Sequence, residues 1–487
     1  MSEEEQTGLV FKFRILLVIL LSLGQFLDTF NSSAFFSAIP SIAKDIHLQS
    51  STTVWLVSAY QITFSSFLLF SGRITDVYNP KWILIVGSTL FGILSLLTGF
   101  MRNTVVFLVL RAVIGIAATL TIPSAMHIIS ATFTRANERS SALAAFSASA
   151  AFGNVFGLIL GAVFTEFTNW PWIFFFEAAI GIPLALISVI VIPHQQQQSL
   201  LRTRDLDWIG VALLTVTLLS FILAVTSGST YGWSSLIVIL PLSLSPIFVV
   251  LFGVWEKRRL AQGLQSAIPA SVWKYRNFPI LMLTALAPFF WLTIVFLTFT
   301  TFWQTVYDWS PMAAAVHLLP IGIFAVLTMS LSGQLANTQI DAKWVILCGQ
   351  LLVIAGTALL PFADHPSRYW SYAFPGFALG SIGTALVYTR ANIATLHSMP
   401  TDFAGTAGAL FSTSLQLGAT IGVTAITAVQ ANVEKQSNKL YEGNFVGFWC
   451  LFGFSISVMA LTAIFYKSGP HDRGDYNSEV MEEKIEM

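Results

Sequence analysis

Fourteen apolar stretches, each of roughly twenty residues, run through the chain from Leu16-Pro40 to Phe445-Tyr466. Each is long enough to cross about 30 Å of hydrocarbon as a helix. Lipid offers the backbone no water, so a spanning segment has to be a helix or a strand of a closed barrel. Strict alternation of apolar and polar residues, the mark of the barrel, is absent. With 55% hydrophobic and only 10% charged residues in 487, the chain is expected to fold as an all-α polytopic membrane protein.

A second constraint is internal. The segment Ser71-Gly72-Arg73-Ile74-Thr75-Asp76-Val77-Tyr78-Asn79-Pro80-Lys81-Trp82 returns later as Ser332-Gly333-Gln334-Leu335-Ala336-Asn337-Thr338-Gln339-Ile340-Asp341-Ala342-Lys343-Trp344, one residue longer. Each reads as a short polar turn between two long apolar runs, so the spans form two related halves. The expected organisation is a cytoplasmic N-terminus over 1–13 and a six-helix bundle over 14–193. Linkers and two extra helices follow over 194–277, then a second six-helix bundle over 278–466 and a cytoplasmic tail over 467–487. Placing both termini in the cytoplasm leaves 17 Lys and Arg in the inner segments and five in the outer loops, the sense of the positive-inside rule.

Several function classes drop out. No motif pairs a nucleophile with a base, and no phosphate-binding Gly-x4-Gly-Lys-Ser/Thr loop is present. The two cysteines, Cys348 and Cys450, belong to no metal pattern. Neither an enzyme nor a nucleic-acid binder is expected, and no cofactor or metal.

The order and spacing of further motifs carry a resemblance. They are Leu27-Asp28-Thr29, Trp55 to Tyr60, Gly72 through Lys81, Leu110-Arg111 to Gly115, Trp170 to Phe174, and Gln304 to Pro311 followed by Leu319-Pro320. Together they resemble the major facilitator superfamily, in its fourteen-span drug:proton antiporter branch, over about Phe11 to Tyr466. The run Trp55 to Lys81 is most similar to fungal aminotriazole-resistance and borate-export proteins. The resemblance implies a monomer in the plasma or vacuolar membrane. It would export small organic molecules or drugs by alternating access, driven by a proton gradient. Uptake or facilitated diffusion of one metabolite on the same fold is the alternative.

The resemblance also distributes roles. Gly72, Arg73, Asp76 and Lys81 would form a gating loop, with Asn79 where the family usually has Gly. Gly153, Gly157 and Gly161 match the family's antiporter motif, although Leu158 replaces its proline and Ala144 and Ala162 replace glycines. That spacing alone lets another helix come close. Gln304, Asn31 and Tyr60 are candidates for a substrate cavity.

The charges inside spans are read from position. At about 1.5 Å per residue, Asp28 lies roughly 21 Å from the inner end of its helix. Arg111 and Glu177 lie roughly 10 Å from the outer ends of theirs, which puts all three at one level of the bilayer. Intramembrane ionisable groups usually face one another or a polar cavity. Two acids against one arginine leave a surplus carboxyl, so Asp28 or Glu177 is the expected proton site and Arg111 the charge that couples protonation to substrate. A permanent Asp–Arg clamp is the structural alternative.

Overall fold

Polar caps and prolines set helix boundaries that hydropathy leaves blurred. The computed structural model describes residues 3–48, 53–133, 135–192, 207–262, 270–335, 340–398, 404–436 and 441–468. Within them lie fourteen α-helices. The first six are α1 Glu3–Asp45, α2 Val54–Val77, α3 Pro80–Phe100, α4 Thr104–Thr132, α5 Ala136–Phe167 and α6 Pro171–Val191. A central pair follows, α7 Trp208–Tyr231 and α8 Leu236–Ala261. The last six are α9 Phe278–Val306, α10 Pro311–Leu335, α11 Ala342–Leu359, α12 Phe374–His397, α13 Ala404–Gln436 and α14 Glu442–Phe465.

Thirteen of these are, among the described residues, long and apolar enough to cross a membrane. The exception is α12, whose apolar run is diluted by Gly376, Gly380, Ser381, Gly383, Thr384 and Arg390. It packs along α11. Polarity is inverted relative to a water-soluble bundle: along α3, Val86, Leu90, Ile93 and Leu97 are exposed while Ser88 and Ser95 are buried.

Two compact units result. One comprises Met1–Ala267 with Phe299–Leu319, the other Ile268–Thr298 with Pro320–Met487. The extra pair belongs to the first. It is closed on itself by Asp207, the N-cap of α7, whose Oδ1 accepts from Gly210 N at 2.9 Å and from Trp255 Nε1 of α8 at 2.6 Å. Arg259 Nε of α8 stands 4.0 Å from the same oxygen.

The polar segment expected to be a turn from Gly72 is mostly helix. Gly72 and Arg73 lie inside α2, and the ladder runs on until Tyr78 N donates to Ile74 O at 2.8 Å. Only Tyr78 and Asn79 separate α2 from α3, because Pro80 forces an extended residue before it and then starts a helix well. The side chain of Asp76, and those of Gly333 to Asn337 in the second copy, lie outside the described ones. Asn79, the departure from the family pattern, caps α3 by accepting from Lys81 N at 3.0 Å, and Asp341 caps α11 from Lys343 N at the same distance. The Lys81 ammonium donates to Val189 O at 2.8 Å and Ile192 O at 2.6 Å, so it neutralises the open C-terminal end of α6.

Glycines set the tightest approach in the first unit. A Cβ on Gly153 would lie 2.5 Å from Phe26 O, one on Gly157 2.8 Å from Phe30 O, and one on Gly161 2.6 Å from Ala34 Cα. The three therefore let α5 lie directly against the backbone of α1. Gly418 and Gly422 of α13 face Leu286 and Phe290 of α9 in the same manner.

Two outcomes follow for the detergent-solubilised protein. Gly161→Ala should lower the thermal midpoint, since forced overpacking costs about 1–3 kcal/mol, whereas Gly453→Ala, with nothing within 4 Å, should not. Equal midpoints would refute the close approach. Lys81→Met should cost about 2 kcal/mol through two lost charge-assisted hydrogen bonds, with Lys81→Arg recovering part of it in the same melting assay.

Candidate functional site

The deepest charges of the first unit meet around one asparagine. Arg111 of α4 is 1% exposed, Glu177 of α6 is 0% exposed and Asp28 of α1 is 6% exposed. Arg111 Nη1 donates to Asn31 Oδ1 at 2.6 Å. Asn31 Nδ2 donates to Glu177 Oε1 at 2.9 Å and Oε2 at 3.0 Å. The amide can stand only one way round, because the guanidinium offers donors alone and the carboxylate acceptors alone. Asn31 thus transmits the attraction between Arg111 and Glu177 while keeping them from forming a direct pair.

Two further contacts complete the carboxylate and the cation. Ser95 of α3 donates its hydroxyl to Glu177 Oε2 at 2.9 Å. The guanidinium carbon of Arg111 lies 4.1 Å from the ring centroid of Phe35, 5.1 Å from Tyr60 and 6.0 Å from Phe174. Aromatic faces carry negative potential, so a cation out of reach of water is stabilised by them. Arg111 Nε is buried without a hydrogen-bond partner, which makes those faces its main company on that side.

Asp28 is linked through Tyr60, whose hydroxyl donates to Asp28 Oδ1. Tyr60 also presents its ring to Arg111, so one side chain of α2 touches both charges. Asp28 therefore contacts the cation through a phenol, and the direct Asp–Arg clamp is not formed. Gly115, one turn beyond Arg111 on α4, is where α4 meets Tyr60 O: a Cβ there would lie 2.5 Å from it. Close packing of α2 on α4 thereby holds the Tyr60 ring in place.

The sequence placed Asp28, Arg111 and Glu177 at one level, and they are joined in one cluster. Asn31 and Tyr60, expected in a substrate cavity, are its connecting groups. Gln304 is elsewhere: its Nε2 donates to Ser37 O at 3.3 Å, about 9 Å further along α1. Ser95, Phe35 and Phe174 were missed. A serine buried in the apolar run of α3 was the available signal for the first, and the two phenylalanines carry none in a chain with 41 of them. Phe290, Trp291, Phe296, Phe299, Phe302 and Trp303 of α9 are all buried, so these aromatics face inward and away from lipid. Among the described residues no group of His, Cys, Asp and Glu has metal-holding geometry.

The repeat has a different filling at the matching place. The offset that carries Leu27 and Asp28 onto Ala287 and Pro288 carries Asn31 onto Trp291, and the offset of Lys81 onto Lys343 carries Ser95 onto Thr357. Trp291 Nε1 donates to Thr357 Oγ1 at 2.9 Å. The amide–carboxylate contact of the first unit thus has a neutral indole–hydroxyl counterpart in the second. Among the described residues, the second unit buries no carboxylate.

This chain matches the model of the Major Facilitator Superfamily over residues 21–423. It is 26% identical over 459 residues to the puromycin resistance protein pur8 of Streptomyces alboniger, covering 92% of this chain and 89% of that one. To the multidrug resistance protein Stp of Mycobacterium tuberculosis it is 24% identical, covering 86% and 76%. To the multidrug transporter mfsC of Aspergillus fumigatus it is also 24% identical, covering 93% and 87%. The fold is that of a solved D-xylose-proton symporter, with TM-score 0.65, 12% identity and coverage of 94% and 99%. A nucleoside transporter, NupG, gives TM-score 0.61 at 13% identity, covering 93% and 100%. These matches cover almost the whole chain, and the protein belongs to the Major Facilitator Superfamily, as a multi-pass membrane transporter and not an enzyme.

Proposed function

We propose that this transporter exports small amphiphilic organic molecules in exchange for protons, with Asp28 as the proton site. The observation that carries this is the unequal company of the two buried acids. Glu177 accepts from Asn31 and Ser95 and answers Arg111 through Asn31, so its anion is both hydrogen-bonded and balanced. Among the described residues, the Asp28 carboxylate accepts only from the Tyr60 hydroxyl and forms no ion pair. Two carboxylates beside one guanidinium leave one negative charge in excess at bilayer depth, which is relieved when Asp28 takes up a proton. Tyr60 then senses that proton at its hydroxyl and Arg111 at its ring face. Resistance and export proteins among the relatives, against puromycin in one and for cephamycin in another, support outward movement of organic molecules.

Gly153, Gly157 and Gly161 would serve as the low-friction surface on which α1 and α5 move, and Lys81 as the gating-loop charge that Arg73 and Asp76 assist. Both termini would face the cytoplasm of the plasma or vacuolar membrane. The transporter would work as a monomer, with the proton gradient as its energy source and no cofactor.

The test is uptake of labelled puromycin, a cephamycin, borate and a panel of cationic and zwitterionic amphiphiles into inside-out vesicles with an acid interior. Gradient-driven uptake of at least one compound is expected, falling tenfold or more in Asp28→Asn while substrate counterflow without a gradient survives. Uptake indifferent to the gradient would instead identify a facilitator. Glu177→Gln and Asn31→Leu should impair counterflow as well, because each strands Arg111. If Asp28→Asn keeps the full gradient response, Asp28 is not the proton site.

A further inference from the structure

Two small cavities occupy matching places in the two units. In the first, a cavity of about 10 Å³ is lined by Gly24, Leu27 and Asp28 of α1, Ser88 and Phe91 of α3, Ala118 and Thr121 of α4, and Leu184 of α6. In the second, one of about 10 Å³ is lined by Ala287 and Pro288 of α9, Gln350 and Val353 of α11, Thr384 and Val387 of α12, and Ser455 and Val458 of α14. The offset that carries Lys81-Trp82 onto Lys343-Trp344 carries Ser88 onto Gln350 and Phe91 onto Val353. One constant offset carries Ala118 and Thr121 onto Thr384 and Val387, and another carries Leu27 and Asp28 onto Ala287 and Pro288. The two cavities are thus one feature, duplicated with the fold.

The matching positions also share a deficit. Ser88 is 2% exposed and its Oγ has no hydrogen-bond partner, and Gln350 is 4% exposed with Oε1 in the same condition. A buried polar atom left in that state costs about 1–3 kcal/mol. A cavity of about 10–15 Å³ holds one water where two to four polar groups can meet it. In the first cavity those groups are Ser88, Asp28, whose Oδ1 alone is taken by Tyr60, and Thr121. In the second they are Gln350 Oε1, Thr384 and Ser455.

We propose that each unit binds one buried water at this duplicated position, and that in the first unit this water is a working partner of Asp28. The assignment of work, though not of the waters, rests on Asp28 being the proton site. Ser88 has a hydroxyl that both donates and accepts. When Asp28 is ionised, the water donates to its free oxygen and accepts from Ser88. When Asp28 is protonated, its O–H donates to the water, which turns and donates to Ser88. Asp28 can therefore gain or lose its proton without stranding any buried group. The second water has no such freedom: Gln350 Nε2 is committed to Thr462 Oγ1 at 3.1 Å, so Oε1 only accepts, and Pro288 stands where the acid would be. That water is a fixed structural member.

X-ray hydroxyl-radical footprinting of the full chain in nanodiscs tests the waters, since a side chain beside a bound water is oxidised even when shielded from bulk solvent. Phe91 should be labelled several-fold above Phe146, and Val353 several-fold above Val57, controls of the same residue type and equal burial that line neither cavity. Gly24→Ala, whose added Cβ would have Thr121 Cβ at 3.9 Å as its nearest neighbour, should fill the first cavity and remove the Phe91 label alone. Gln350→Met should remove the Val353 label alone. Phe91 and Val353 labelled no more than the controls in the unmodified protein would overturn the proposal. Gradient-driven uptake should fall at least fivefold in both Gly24→Ala and Ser88→Ala, the latter keeping the fold if the former does not. A full gradient response in both variants overturns the role beside Asp28. Asp28→Asn run alongside separates the two ideas, because a retained gradient response there sinks the proton site and the water's work with it, while the labels still decide whether the waters are bound.

Discussion

A guanidinium with 1% exposure, held inside an apolar bundle, has to be answered by the bundle itself, and Arg111 fixes the registers of the helices that answer it. Removing such a charge from water costs several kcal/mol even after relaxation. Its answer comes from Asn31 and Phe35 of α1, Tyr60 of α2 and Phe174 of α6, with Ser95 of α3 completing Glu177. Five helices of the first unit therefore contribute to one charge balance. Sliding any of them by a turn, about 5.4 Å, would break a contact of this buried cluster. The glycine surfaces make those registers reachable, since α5 on α1 and α4 on α2 touch at backbone distance.

The repeat separates what the fold needs from what the chemistry needs. Both halves keep the device that starts the third helix of each bundle: Asn79 and Asp341 each accept from the amide two residues on. Both keep small residues where the first and fifth helices of a bundle meet, and both keep the cavity with a polar side chain at Ser88 and Gln350. What differs is charge. Asn31 has become Trp291, Asp28 has become Pro288, and Arg111 maps by the α4-to-α12 offset onto Phe377, which is fully buried. Scaffold devices recur because each bundle has to solve the same packing problem, whereas an ionisable cluster is a graft on that scaffold.

Much of this was legible because membranes impose coarse rules. The all-helical fold follows from run length, and the meeting of Asp28, Arg111 and Glu177 from their matching positions along their helices, which lipid makes nearly obligatory. The turn after α2 was misplaced because Gly72, Arg73 and Thr75 look like turn residues in isolation. Helix propensity and the intact ladder to Tyr78 overrule them, and Pro80 ends the matter. The inward turn of the α9 aromatics was equally invisible, since a phenylalanine satisfies lipid and core alike, and only the neighbours decide. Asn31 and Tyr60 were singled out as candidates for a substrate cavity, but their task of joining charges depends on rotamers and on which helix lies opposite, neither of which periodicity encodes.

Arg390 shows how the same physics produces a different result in the second unit. It is 4% exposed, not reaching out to solvent from the end of its helix as its position suggests, and Nη2 donates to Ile340 O at 3.0 Å. Ile340 immediately precedes Asp341, the cap of α11. One contact of the buried cation is thus to a backbone carbonyl at a helix start. A carbonyl cannot take up a proton at any accessible pH, so this contact ties α12 to α11 without becoming a titratable switch. Arg111, answered through Asn31 by Glu177 and through Tyr60 by Asp28, sits instead among groups that can change charge.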